Sequence, residues 1–250
     1  MPILIDYPRP HVVLITIDNQ PKRNAMSREM MQELASCWDQ LAISDCRAIV
    51  LTGAGQKAFN AGADITGDLS ASKETAQMVN RSLLKTSGYP KPIISAVNGV
   101  CAGGGVELLL STDIRLAAPH ARFGLPEVRW GIYPFGGATA KLINQIGYVH
   151  AMELLLTAEI IDAEKAQSIG LINDIVPAGE LIDHAVSIAA TISANSPTAV
   201  QAVKQHISDG MAAATLARES AEQEKGDRVR ASTDFSEGVN AFREKRTPNY

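Results

Sequence analysis

Between Lys91 and Gly137 the chain sets a proline-bounded apolar run, three successive glycines and two isolated glutamates in one compact stretch. Pro92 precedes Ile93-Ile94-Ser95-Ala96-Val97, and Asn98-Gly99 follows it, which predicts a buried strand ending in a turn. Gly103, Gly104 and Gly105 then open Val106-Glu107-Leu108-Leu109-Leu110. Three glycines permit backbone paths closed to other residues and let a ligand approach the main chain, just where a helix start leaves N–H groups unpaired and favours negative charge. Glu107 is the only charged residue from Val106 to Leu110, and Glu127 follows in Phe123-Gly124-Leu125-Pro126-Glu127-Val128. Each glutamate also suits the plainer role of an acid in a first helical turn, where it stabilises the helix dipole. Together, beside a glycine-lined helix start, they suit general acid–base chemistry next to an anion-stabilising site.

The whole chain narrows the field. Its 250 residues are enough for one large core without cross-links. A formal charge of −4 gives no electrostatic footprint for nucleic acid or an anionic membrane surface. Cys37, Cys46 and Cys101 are an odd set, predicted to be free and buried in a reducing compartment. The five histidines are scattered and no metal-ligand spacing occurs. Neither a signal peptide nor an apolar run of about 18 residues is present, so the expected location is cytoplasmic, with no membrane partner.

Taken in order, Ile3–Tyr7 and Val12–Ile17 read as adjacent strands around Pro8-Arg9-Pro10. The turn-rich, basic loop 19–25 leads to Ser27, a predicted N-cap for a helix with Met30, Leu34, Trp38 and Leu41 on its apolar face. Ala48–Leu51 is a third strand. Gly53-Ala54-Gly55-Gln56-Lys57-Ala58 fits the dinucleotide pattern G-x-G-x-x-G/A, but no apolar-faced helix follows, which argues against nucleotide binding of that kind. Residues 61–65 read as irregular backbone facing a ligand. Residues 66–88 turn from polar to helical, with Met78, Val79, Leu83 and Leu84 as the stripe. Strand 114–117, helices 136–146, 151–156 and 163–169, strand 171–176 and helix 180–194, with Leu181, Ala185, Ile188 and Ile192 inward, complete an α/β alternation. Beyond Asn195-Ser196-Pro197 only helix formers remain, and the charged run 218–230 reads as a mainly solvated face.

The run Lys91-Pro92-Ile-Ile-Ser-Ala-Val-Asn-Gly-Val-Cys-Ala-Gly-Gly-Gly-Val-Glu107, with Phe123 to Val128 downstream and Lys57-Ala58-Phe59-Asn60-Ala61-Gly62-Ala63-Asp64-Ile65 upstream, resembles the signature of the enoyl-coenzyme A hydratase/isomerase (crotonase) superfamily. The resemblance extends over nearly the whole chain and is weakest at 66–88. It implies an α/β fold built as a spiral of strand-strand-helix turns, with residues 1–194 forming the core and active site and 195–250 a helical oligomerisation region. The implied reaction is hydration of a 2-enoyl-CoA thioester. The backbone N–H groups of Ala63 and Gly104 would hold the thioester oxygen, Glu107 would take a proton from water, and Glu127 would give one to the α carbon. Lys22, Arg23, Ala25, Ala61, Asp64, Ile65, Phe242 and Lys245 occupy the positions that meet substrate and coenzyme A, the last two across a subunit boundary in a homotrimer or dimer of trimers. Coenzyme A is then part of the substrate, and no separate cofactor is implied.

Relatives specialised for double-bond isomerisation generally lack the first glutamate, so its presence favours hydration; an enoyl isomerase and a carnitinyl-CoA-type dehydratase stand as nearby alternatives, and the retention of both acids argues against a non-catalytic binding scaffold of the same fold. Trp130, Tyr133 and Phe135 stand where short-chain hydratases carry smaller or aliphatic residues; aromatics there suit core packing or a reshaped acyl pocket.

Overall fold

The computed structural model of this chain describes residues 2–64 and 73–250. Strands β1 (Ile3–Arg9) and β2 (Val12–Ile17) form an antiparallel pair, and Ser27 then caps helix α1 (Arg28–Ala42) by accepting a hydrogen bond from the Met30 N–H. Next come β3 (Ala48–Gly53), β4 (Ala58–Asn60), α2 (Lys73–Ser82), β5 (Ile93–Val97), β6 (Val100–Ala102), α3 (Gly104–Leu109), β7 (Ile114–Ala117) and β8 (Arg122–Gly124). A 3-10 turn at Pro126–Trp130 leads to α4 (Ala138–Ile146), α5 (Tyr148–Thr157), β9 (Ile160–Asp162), α6 (Ala163–Ser168), β10 (Asp174–Ile175) and α7 (Leu181–Ser193). The chain closes with α8 (Pro197–Leu216), α9 (Glu219–Arg230) and α10 (Thr233–Glu244).

The expected spiral is explicit in the strand order. Among the described residues one sheet runs β1-β2-β3-β5-β7-β10 and a second runs β4-β6-β8-β9. Each turn therefore gives one strand to each sheet, β3 with β4, β5 with β6 and β7 with β8, and the three pair in parallel within both layers. Both faces of the first sheet are covered, which is why β3 and β5 are buried throughout and mainly apolar rather than alternating. Trp38, Phe59, Phe123, Ile49, Leu51 and Leu108 fill the main core, while α7 packs Leu181, Ala185 and Ala189 onto the opposite face. Ile188 and Ile192 lie at the margin of that second cluster.

Several sequence expectations need correction. The run 171–176 forms only the two-residue β10, because the Leu171 and Ile172 N–H groups turn back to the Ala166 carbonyl and close α6. The stripe Met78, Val79, Leu83, Leu84 outlasts its helix: α2 ends at Ser82, and Leu84 takes φ +49°. The carbonyls freed there bind side chains, Ser82 O accepting from Trp38, Leu83 O from Ser111 and Leu84 O from Lys141. Short strands β4, β6, β8 and β9 were not anticipated. The turn at Ala54–Lys57 runs into β4 rather than a helix, in agreement with the argument against a dinucleotide site. The three cysteines are buried and free. Residues 65–72, including Ile65 and most of the polar part of 66–88, lie outside the described residues. Among the described residues no helix is long and apolar enough to cross a membrane.

One close approach sets β4 against α3. A Cβ on Gly105 would overlap the carbonyl oxygen of Asn60 at the end of β4 and lie 2.9 Å from its carbonyl carbon. Gly105→Ala should therefore force backbone to move, costing about 1–3 kcal/mol and lowering Tm by about 3–10 °C in a thermal melt; an unchanged Tm would show that this contact bears no strain.

Candidate active site

The site begins with the loop 22–26, which zips onto residues 61–64. Ala61 N–H donates to Arg23 O at 3.1 Å, Met26 N–H to Gly62 O at 2.9 Å, and Asp64 N–H to Met26 O at 2.9 Å. Met26 thus pairs in parallel with Ala63 while bonding the residues on either side of it. In such a bridge the N–H of the straddled residue points away from its partner. Ala63 N–H accordingly faces Gly104: a Cβ on Gly104 would stand 3.5 Å from Ala63 N, and one on Gly62 would stand 3.1 Å from Gly104 N. Among the described residues neither the Ala63 nor the Gly104 N–H has a hydrogen-bond acceptor. Two unengaged main-chain donors side by side are an arrangement suited to a carbonyl oxygen that gains negative charge.

Two asparagines brace this loop, and the sequence reading did not single them out. Buried Asn24, at φ +58°, donates to Ala58 O at 2.7 Å and Ala54 O at 3.0 Å, and its side-chain oxygen accepts from Asn19 N–H. Asn60 donates to Asn24 O at 2.8 Å and accepts from Gly62 N–H at 2.8 Å. The signal was present as an asparagine in a turn-rich loop, since asparagine tolerates left-handed backbone and supplies both donor and acceptor. At the rim Lys22 pairs with Asp64 at 2.6 Å, so this lysine is tied to the loop. Ala25 is buried beside it, while Arg23, also left-handed at φ +54°, is exposed.

Glu107 and Glu127 flank the glycines. Glu107, on α3, is 4% exposed, and its Oε1 accepts the Ala138 N–H at 3.2 Å. Glu127 sits in the 3-10 turn opened by Pro126, with Oε1 3.3 Å from the Cβ position of Gly103, whose φ +57°, ψ −126° only glycine adopts readily. Glu127 as a residue is half-buried, yet its Oε2 is buried and has no hydrogen-bond partner among the described residues. Burial raises both carboxyls above the usual range. For Glu107 the Ala138 N–H opposes that rise, Glu222 adds to it and Lys85 opposes it; for Glu127 the neighbouring charge of Glu107 is the second cause. Like charges this close titrate as a pair. Both carboxyls are thus held above the usual range, and the Ala138 N–H supports the anionic form of Glu107.

The C-terminal positions lie on the Glu127 side of the same chain. Phe242 on α10 packs edge-to-face on Trp130 at 5.1 Å, and Lys245 is exposed just past α10. Tyr133 and Phe135 pack edge-to-face at 5.7 Å. The structure thus gathers Lys22, Arg23, Ala25, Ala61, Ala63 and Asp64 in one loop cluster that meets Gly104 at Ala63, sets Glu107 and Glu127 beside Gly103, and packs Phe242 on Trp130 of the Glu127 turn with Lys245 exposed beyond it.

A profile of the enoyl-CoA hydratase/isomerase family matches residues 9–250. The chain belongs to that family. It is 38% identical to the enoyl-CoA hydratase EchA19 of Mycobacterium tuberculosis over 97% of this chain and 94% of that protein. With the short-chain-enoyl-CoA hydratase of Clostridium acetobutylicum the identity is 36%, covering 94% and 92%. Among solved structures, a carnitinyl-CoA hydratase from Mycobacterium avium superposes with a TM-score of 0.91 at 33% identity, covering 100% of this chain and 98% of that one. The spiral of two layered sheets is therefore the crotonase fold.

A methyl group on Gly104 would meet only ordinary contacts, at 3.5 Å or more, while standing between the two unengaged N–H groups. Gly104→Ala should lower hydration of an enoyl thioester by about 10²–10³-fold with a Tm within a few degrees of the parent; a fully active variant would remove this gap from the site.

Proposed function

We propose that this protein is a hydro-lyase that adds water across the 2,3 double bond of an enoyl-CoA thioester. The observation that carries the reading is the pairing of the Glu107 and Glu127 carboxyls beside Gly103 with the unengaged N–H groups of Gly104 and Ala63. Ala63 and Gly104 N–H take the thioester oxygen, and because they are fixed before the reaction they stabilise its developing charge without reorganisation. Glu107, whose carboxylate the Ala138 N–H supports, removes a proton from water as the water oxygen bonds to C3. The π electrons move onto the thioester as an enolate, and Glu127 protonates C2. The carboxyls have then exchanged roles, and proton exchange with solvent resets them. The same groups run the reverse dehydration, which is the relation to carnitinyl-type relatives. Both glutamates are present, which separates this chain from an isomerase or a non-catalytic scaffold. Hydration of this kind suits fatty-acid β-oxidation.

The remaining binding residues follow from the same reading. Lys22, Arg23, Ala25, Ala61, Asp64 and Ile65 line the approach of coenzyme A. Residues 195–250 form an oligomerisation region in a homotrimer or dimer of trimers, supported by Val203, Ile207 and Leu216, which α8 leaves 64%, 61% and 56% exposed. Lys245 then meets coenzyme phosphate bound by a neighbouring subunit, with Phe242 anchoring it.

Loss of crotonyl-CoA absorbance on adding the protein tests the reaction. Glu107→Gln and Glu127→Gln should each lower turnover by about 10²-fold or more with the fold retained. The parent kcat/KM should be bell-shaped, its acid limb well above that of a free glutamate, because activity needs one carboxylate ionised and the other protonated. Near-parental hydration by either variant would take that residue out of the chemistry. For assembly, Lys245→Glu should raise KM several-fold at low salt and less at high salt with kcat little changed; salt-independent, parental kinetics would remove Lys245 from the coenzyme site.

A further inference from the structure

One buried ion pair is not used by the steps above. Lys85, just beyond α2, and Glu222 on α9 meet at 2.5 Å with both side chains 5% exposed, so Glu222 departs from the solvated character expected of its charged helix. Desolvating two ions makes such a pair a poor device for stability alone. Its surroundings give it another role. Glu222 Oε1 accepts from the Thr139 hydroxyl at 3.1 Å, and Thr139 accepts from the Tyr133 hydroxyl at 3.3 Å. Thr139 follows Ala138, whose N–H holds Glu107. On the same segment a Cβ on Gly136 would overlap Glu107 Oε2, and one on Gly137 would stand 3.1 Å from Lys85 Cγ. Residues 133–139 therefore run between Glu107 and the ion pair. Helix α9 is pinned there: Gly226 leaves no room for a Cβ against Phe135, the Arg230 guanidinium lies 4.5 Å over the same ring, and Glu219 accepts a hydrogen bond from Asn80.

We propose that Glu222, working with Lys85, is a positioning residue for Glu107: from the C-terminal helices it fixes the 133–139 segment that orients the base and balances the charge of Lys85. The inference rests on the reading of Glu107 as the base. The charged and titratable groups that face Glu107 are Glu127 from the 3-10 turn, Lys85, Glu222, and Lys141 from α4. The Lys141 amine donates to Leu84 O and Ser111 Oγ, and burial pushes its pKa down to about 7. Glu222 favours the protonated form of Glu107 and Lys85 favours the anion. With Glu222 neutralised, Lys85 acts on Glu107 alone. The base then titrates lower and becomes weaker.

The test follows the Glu107 carboxyl carbon by NMR in protein labelled with ¹³C at the glutamate carboxyl, the resonance being assigned by its loss in Glu107→Gln. Crotonyl-CoA kinetics are measured alongside. Glu222→Gln should move the Glu107 titration and the acid limb of kcat/KM down by about one pH unit and lower kcat with KM little changed. Lys85→Met/Glu222→Met, which removes both charges, should return the titration to the parental position yet turn over about tenfold more slowly because the segment loses its anchor. An unmoved titration in Glu222→Gln, or parental turnover in the double variant, overturns the proposal, and the double variant decides alone if the single one does not fold. Failure of the underlying reading looks different: Glu107→Gln would stay active while the titration in Glu222→Gln still moved.

Discussion

Asn60 and Gly105 touch main chain to main chain, and most of the site depends on that contact. It brings the end of β4 against the start of α3, which lets residue 63 present its N–H beside that of residue 104. No side chain at 105 permits the approach except hydrogen. The spiral topology makes the contact possible, since β3 feeds β4 and β5 feeds β6 in adjacent positions of the same two layers. The asparagine pair Asn24 and Asn60 then holds the loop through side-chain hydrogen bonds to main-chain carbonyls and N–H groups around it. The donor geometry is thus a property of the backbone, set when the two sheets close.

The electrostatics follow from the same burial. Burial and their mutual repulsion raise both carboxyls above the ordinary carboxylate range, so ionising one opposes ionising the other. Their surroundings differ: Glu107 Oε1 accepts from the Ala138 N–H, and Glu127 Oε2 has no partner among the described residues. The helices after residue 195 are part of this balance, because α9 brings Glu222 to Lys85 and α10 closes on the Glu127 turn through Phe242 and Trp130.

Much of this was legible in the residues. The apolar run at 93–97, the Ser27 cap and the α1 stripe gave their elements because local preference and burial agree there. The glycines and both glutamates pointed to the candidate site, and the structure brings them together around Gly103. The second sheet was not legible: β4, β6, β8 and β9 are three residues each, too short for any period to register, and they form only by pairing across the spiral. Nor did the pattern show that α2 stops at Ser82, since the Leu83 and Leu84 carbonyls are satisfied by Ser111 and Lys141 from far along the chain. Glu222 was hidden for a similar reason. Within 218–230 it looks like any other charge, and only the approach of Lys85 and Thr139 distinguishes it.

The central claim, that the Ala63 and Gly104 N–H groups polarise a thioester carbonyl, is tested most directly by isotope-edited infrared spectroscopy of bound butyryl-CoA carrying ¹³C at the thioester carbon. This saturated thioester binds without having a double bond to hydrate. Two fixed donors weaken the C=O bond, so the band of the bound ligand should lie below that of the free ligand in water and return toward it in Gly104→Ala. A bound carbonyl that absorbs at the aqueous frequency in the parent protein would contradict the account.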